Sequence, residues 1–97
     1  MTAVEPIDFD GVETLSFRQI DAMNGFSKGT AFRLFKRLRG ELSEGCDYYY
    51  LPAQSHSVFI QSLKESGQVY RSTTHLVLIT RSGYERLQHL NSGTGPD

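Results

Sequence analysis

Five of the twelve residues from 28 to 39 are basic (Lys28, Arg33, Lys36, Arg37 and Arg39), and none is acidic. Cations at this density suit phosphate, and arginine's planar fork can also grip a guanine edge with two hydrogen bonds. At about 100° per residue, Ala31, Phe32, Leu34, Phe35, Leu38 and Leu42 fall on one side of a helix. Thr30, Arg33, Lys36 and Arg37 fall on the other. One face is thus expected to bury aromatics and leucines, and the opposite face to present almost pure positive charge. A solvated helix face usually mixes signs, and this one does not.

The elements that position these side chains are read from residues 16–39. Ser16 followed by Gln19 is a capping box that starts a first helix. Phe17, Ile20 and Met23 recur at helical spacing along it. Gly25 tolerates the left-handed conformation of a helix C-terminus and ends it. Ser27 is expected to cap the next helix, its hydroxyl taking the amide of Gly29 or Thr30. A short helix, a glycine turn and a basic helix form a helix-turn-helix, the geometry that sets a recognition helix into the major groove. Asp21 stands where a standard helix-turn-helix favours a small residue, and is expected to cap or pair locally.

In that geometry the N-terminal residues of the second helix meet base edges first. Ser27, Lys28, Thr30 and Arg33 are the expected readers, with Arg33 the best placed chemically. Lys36, Arg37 and Arg39 lie further along and are expected to hold phosphate. Arg71 and Lys64 are expected to add backbone contacts from a wing.

Other chemistries find no residues to carry them. His56, His75 and His89 are scattered, none at a metal-ligand spacing to Cys46 or to one another. Lys28-Gly29-Thr30 lacks the upstream glycine of a phosphate loop. Ser82-Gly83 lacks the frame of a nucleophile elbow, and Gly83 reads as a close-packing position on a final helix. No catalytic residue, metal site or cofactor is expected, and the protein is not expected to be an enzyme.

The 97 residues suffice for one domain, and formal net charge is −1. The charge is unevenly spread. Glu5, Asp8, Asp10 and Glu13 fall in the first thirteen residues with no basic residue among them. The remainder holds ten basic and seven acidic residues. Residues 1–14 therefore read as an acidic extended leader, 15–90 as the folded domain and 91–97 as a flexible tail. One cysteine, Cys46, excludes an internal disulfide and points to a reducing compartment. With no apolar run long enough for a membrane span and no secretion signal, the expected location is cytoplasmic.

Beyond the helix pair, residues 46–51 read as a strand with Tyr48 and Tyr50 on one face and Tyr49 on the other. Residues 53–66 fit a helix about as well as a strand, and Gly67 as a helix stop favours helix. Residues 68–74 read as a loop or wing tip. Leu76 to Ile79 form a continuous apolar run, a strand buried on both faces, and Thr80 caps a last helix carrying Tyr84, Leu87 and Leu90. The expected fold is α+β and winged helix-turn-helix-like, with three to four helices and a small two-stranded antiparallel ribbon.

Two stretches carry a family resemblance. One is Phe17-Arg18-Gln19-Ile20-Asp21 with Lys28-Gly29-Thr30-Ala31 and then Glu44-Gly45-Cys46-Asp47-Tyr48-Tyr49. The other is Leu76-Val77-Leu78-Ile79-Thr80-Arg81-Ser82-Gly83-Tyr84, with Leu87 after it. Together they resemble the N-terminal DNA-binding domain of phage antirepressor-type and prophage regulatory proteins. The resemblance implies a small transcriptional regulator of phages or mobile elements, with double-stranded DNA as partner. The alternative is a protein-binding module, such as a phage-encoded inhibitor or antirepressor, that turns the same basic face to a repressor or host factor. A homodimer, open beside a monomer, would set two such helices on half-sites about one helical turn apart.

Overall fold

The computed structural model describes residues 5–93. Its strands and helices run in the order β1 (Ile7–Phe9), β2 (Val12–Leu15), α1 (Phe17–Asn24), α2 (Thr30–Leu38), β3 (Tyr48–Leu51), α3 (Ala53–Ser66), β4 (Leu76–Thr80) and α4 (Arg81–Gly93). A 3₁₀ turn, Arg39–Glu41, follows α2. The class is α+β, as expected. The sheet has four antiparallel strands in the order β1-β2-β4-β3, not the two of a small ribbon.

The added strands come from the acidic segment. Asp10 (φ 54°) and Gly11 (φ 80°) both sit in the left-handed region, the geometry of a two-residue hairpin turn. Phe9 then faces Val12, and Ile7 faces Thr14. The acidic segment thus contributes an outer hairpin, and Leu15 pairs with Ile79 on β4. At the other end α4 runs to Gly93, into the expected tail; residues 94–97, like 1–4, lie outside the described residues.

Strand alternation sorts the core into two layers. Tyr48 and Ile79 point to the face covered by α1, α2 and α4, where they meet Ile20, Ala31, Phe35, Leu38 and Leu87. Leu51, Leu76 and Leu78 point to the opposite face, against Ile60 and Leu63 of α3, Ile7 of β1 and Val69. β4 is flanked by strands on both sides and covered on both faces, so Leu78 and Ile79 are 0% exposed. That is the burial its unbroken apolar run predicts.

β3 and β4 are adjacent, but no tight turn joins them. The connection carries α3, which crosses the far face, and returns through residues 67–75. Gly83 shows how closely α4 meets the sheet, since a Cβ there would lie 1.9 Å from the carbonyl oxygen of Asp47. The adjacent Thr80 hydroxyl accepts the Gly83 amide (3.1 Å), capping α4 as expected. The Asp47 carboxylate, itself buried, takes the Ser43 amide (3.0 Å), the Ser82 hydroxyl (2.9 Å) and Nε of Arg86 (3.3 Å).

Candidate nucleic-acid interface on α2

α1 begins at the expected capping box. Ser16 Oγ accepts the Gln19 amide (3.2 Å) and Gln19 Oε1 accepts the Ser16 amide (3.0 Å). The box also reaches outward, with Gln19 Nε2 donating to Glu5 (2.7 Å) and Ser16 Oγ to Gln68 (2.5 Å). Gly25 closes the helix in the left-handed conformation.

The start of α2 departs from expectation. Gly29, not Ser27, stands at its N-cap, and no side chain of the cap residue bonds the helix. The Ser27 hydroxyl pairs instead with that of Thr30 (3.0 Å). The capping acceptor is Asp21, one helix back. Its Oδ1 takes the Ala31 amide at 2.8 Å and its Oδ2 takes the Gly29 amide at 3.0 Å. Oδ2 also accepts the hydroxyl of Tyr70 at 2.5 Å. A carboxylate at a helix N-terminus is favoured by both the free amides and the dipole. With 3% exposure, Asp21 fixes α1, α2 and the loop at 67–75 to one another. Burial raises the Tyr70 phenol to about 12, and the hydrogen bond and negative charge of Asp21 add to the rise.

Ala31, Phe35 and Leu38 are buried, and Arg33, Lys36 and Arg37 are exposed, as the helical spacing predicts. Phe32 departs from it. Its side chain is 46% exposed, touching Phe17 edge-on (5.6 Å between centroids) with the Lys36 ammonium 5.3 Å from its ring centre. Phe32 lies on the flank of the helix and not on its core stripe.

Of the expected readers, Ser27, Lys28 and Arg33 are exposed and Thr30 is half-buried. Arg33 Nη2 reaches Thr30 Oγ1 at 3.3 Å. Lys28 leans over the Tyr70 ring, 5.2 Å from its centre. Among the described residues, Lys28, Arg33, Lys36 and Arg39 have no carboxylate at ion-pair distance. Arg71 is exposed and follows Tyr70, so the loop that carries it abuts the start of α2; Arg71 itself shares no hydrogen bond or ion pair with that helix among the described residues. Lys64 is a correction. It lies on α3, which packs on the opposite face of the sheet from α2.

The structure adds residues that helix periodicity does not reveal. A groove of about 520 Å3 runs between α2 and residues 69–77. Phe35, Tyr48 and Val77 lie along it, Phe32 and Tyr50 border it, and Arg18, Lys28, Lys36 and Arg39 bring positive charge to it. Tyr48 is packed as expected of a strand aromatic, whereas Tyr50 is 43% exposed. The aromatic content of residues 48–50 was the available signal, but it does not tell which ring stays open. Among the described residues, no helix is long and apolar enough to cross a membrane. Comparison of the chain with family models, curated proteins and solved structures found no match.

Proposed function

We propose that the protein is a small DNA-binding transcriptional regulator of the phage or mobile-element type, in which α1 and α2 act as a helix-turn-helix. The observation that carries this reading is the outward face of α2. Arg33, Lys36 and Arg37 project away from buried Ala31, Phe35 and Leu38 on a helix whose start is pinned by Asp21. The N-terminal half of α2 enters the major groove, with Arg33 toward base edges and Lys36, Arg37 and Arg39 toward phosphate. The loop at 67–75 takes the place of a wing and brings Arg71 toward the backbone. The resemblance of residues 17–21, 28–31, 44–49 and 76–84 to prophage regulatory proteins supports the same reading. Such a regulator works in the cytoplasm, where the lone Cys46 stays reduced.

The second reading is a protein-binding module using the same basic face. A net charge of −1 favours it, since nucleic-acid binders are often basic overall. A binding selection against a randomised duplex library, with a salt titration on random DNA, separates the two. A regulator enriches a sequence, and its affinity falls steeply with salt as phosphate contacts release counterions. No enrichment together with salt-independent affinity overturns the DNA reading.

A further inference from the structure

The groove beside α2 has features that duplex binding by the outward face of the helix does not use. Phe32 and Tyr50 expose large aromatic surface at its borders. Arg18 and Lys28 supply positive charge near the start of α2, and Lys36 and Arg39 supply it further along. No aspartate or glutamate lines it among the described residues. Arg33 and Arg37 lie outside it.

We propose that this groove binds a short extended acidic peptide carrying one apolar or aromatic anchor side chain. From Thr30 to Leu38 α2 rises about 12 Å at 1.5 Å per residue, and Lys28 and Arg39 extend the line of charge beyond its two ends. An extended chain advances about 3.3 Å per residue, so roughly five peptide residues span it. The anchor side chain packs between Phe32 and Tyr50, over Tyr48 and Val77. Flanking carboxylates meet Lys28 and Arg18 on one side and Lys36 and Arg39 on the other.

A single-stranded nucleic acid also matches cations and aromatics, but its bases need open ring faces for stacking. Here, among the described residues, Tyr50 is the one strongly exposed ring without a cation over it. Lys36 lies over Phe32, and both Arg18 (5.8 Å) and Lys28 (5.2 Å) lie over Tyr70. A lysine held over a ring keeps donors for a carboxylate. The arrangement therefore favours carboxylates with one buried anchor over a stack of bases. The proposal does not rest on DNA binding, because Phe32, Tyr50 and Arg18 serve only the groove. Lys28, Lys36 and Arg39 belong to both surfaces, so an acidic peptide and a duplex would compete for them.

The test is a titration of the full chain, labelled with nitrogen-15, followed by amide chemical shifts. Three probes are used: a short peptide of aspartate and glutamate around one central phenylalanine, the same peptide with serine at the centre, and a short oligothymidylate. The phenylalanine peptide should give saturable shifts at Phe32, Tyr50 and residues 72–77. The serine peptide should bind at least about tenfold more weakly, the factor that roughly 1.4 kcal/mol of lost contact produces. Lys36→Glu and, separately, Tyr50→Ser should each weaken the phenylalanine peptide by roughly the same factor while melting like the parent. Lys64→Glu, on the far face, should leave binding unchanged. Equal affinity for the two peptides, no saturable shift with either, or tighter binding of oligothymidylate at the same amides would each overturn the proposal.

Discussion

Tyr70 donates its hydroxyl to the carboxylate of Asp21 at 2.5 Å, although the two stand 49 positions apart in the chain. The same carboxylate caps α2 through Gly29 and Ala31. One buried acid therefore sets the angle between the two helices and the position of the loop beside them.

That bond makes stability depend on alkaline pH. The Tyr70 phenol is raised from 10.0 to about 12, first by burial and then by Asp21. The folded state thus holds the proton more tightly than the unfolded chain. The resulting stabilisation is complete below pH 10 and is lost as pH rises from 10 toward 12. Absorbance titration should show one phenolate forming late in the wild type, and Tyr70→Phe should remove that late step. Asp21→Ala should destabilise by about 2 kcal/mol or more, since it strips the cap from α2 and leaves the Tyr70 hydroxyl without its acceptor. A late step that persists in Tyr70→Phe would assign it to another tyrosine.

Gly83→Ala should be among the most damaging small substitutions. Its Cβ would stand 1.9 Å from the Asp47 carbonyl, a backbone atom that cannot swing aside. α4 would have to lift from the start of β3, where Asp47 also binds Ser82 and Arg86. Overpacking typically costs about 1–3 kcal/mol, and the rigid backbone partner puts this site at the upper end. Thermal melting measures it, and a near-parental midpoint would show that α4 slides without cost.

The two sides of α2 should respond in opposite ways. Phe35 is 3% exposed and Leu78, which lies on the other side of the sheet, is 0% exposed. Truncation of either to alanine should cost about 2–5 kcal/mol. Arg33→Ala should change stability by less than about 0.5 kcal/mol. Denaturant unfolding of the three variants measures the contrast, and equal losses would mean that α2 docks by a different face.

On DNA, Arg33→Ala should cost about 1–3 kcal/mol and relax preference at one base pair. Arg39→Ala should weaken all duplexes alike and flatten the salt dependence by about one ion. Selection against a randomised duplex library with both variants checks this. The reverse assignment, with Arg39 setting the sequence, would turn α2 end for end in the groove.

Local signals carried much of the fold. The capping box at Ser16 and Gln19, the glycine stop at Gly25, the helix before Gly67 and the doubly buried strand at 76–80 all follow from neighbouring residues. The hairpin was also written locally, in Asp10-Gly11 between alternating apolar positions, but the acidic charge of the segment masked it. The rest depends on distant partners. Ser27 looks like a cap until the Asp21 carboxylate arrives from α1. Phe32 looks buried because helical spacing cannot show that an open groove lies beside it. The cationic face of α2 was legible for the same reason its core stripe was, while the groove beside it needed four separate segments to meet.

The strand order also fixes when the sheet can close. β2 meets β4 through Leu15 and Ile79, and β3 meets β4 through Tyr48 and Ile79. Ile79 is thus shared by both halves of the sheet, and it lies under the helix pair as well. On the ribosome, the first three quarters of the chain emerge with no central strand to join them. The hairpin and β3 lack the strand that joins them until β4 is made. Such distant pairings slow folding, because a long loop must close before any contact rewards it. Synthesis interrupted before Leu76 would release the basic helix on a segment whose sheet is not yet joined. The sheet is therefore closed last, by the strand that both of its halves share.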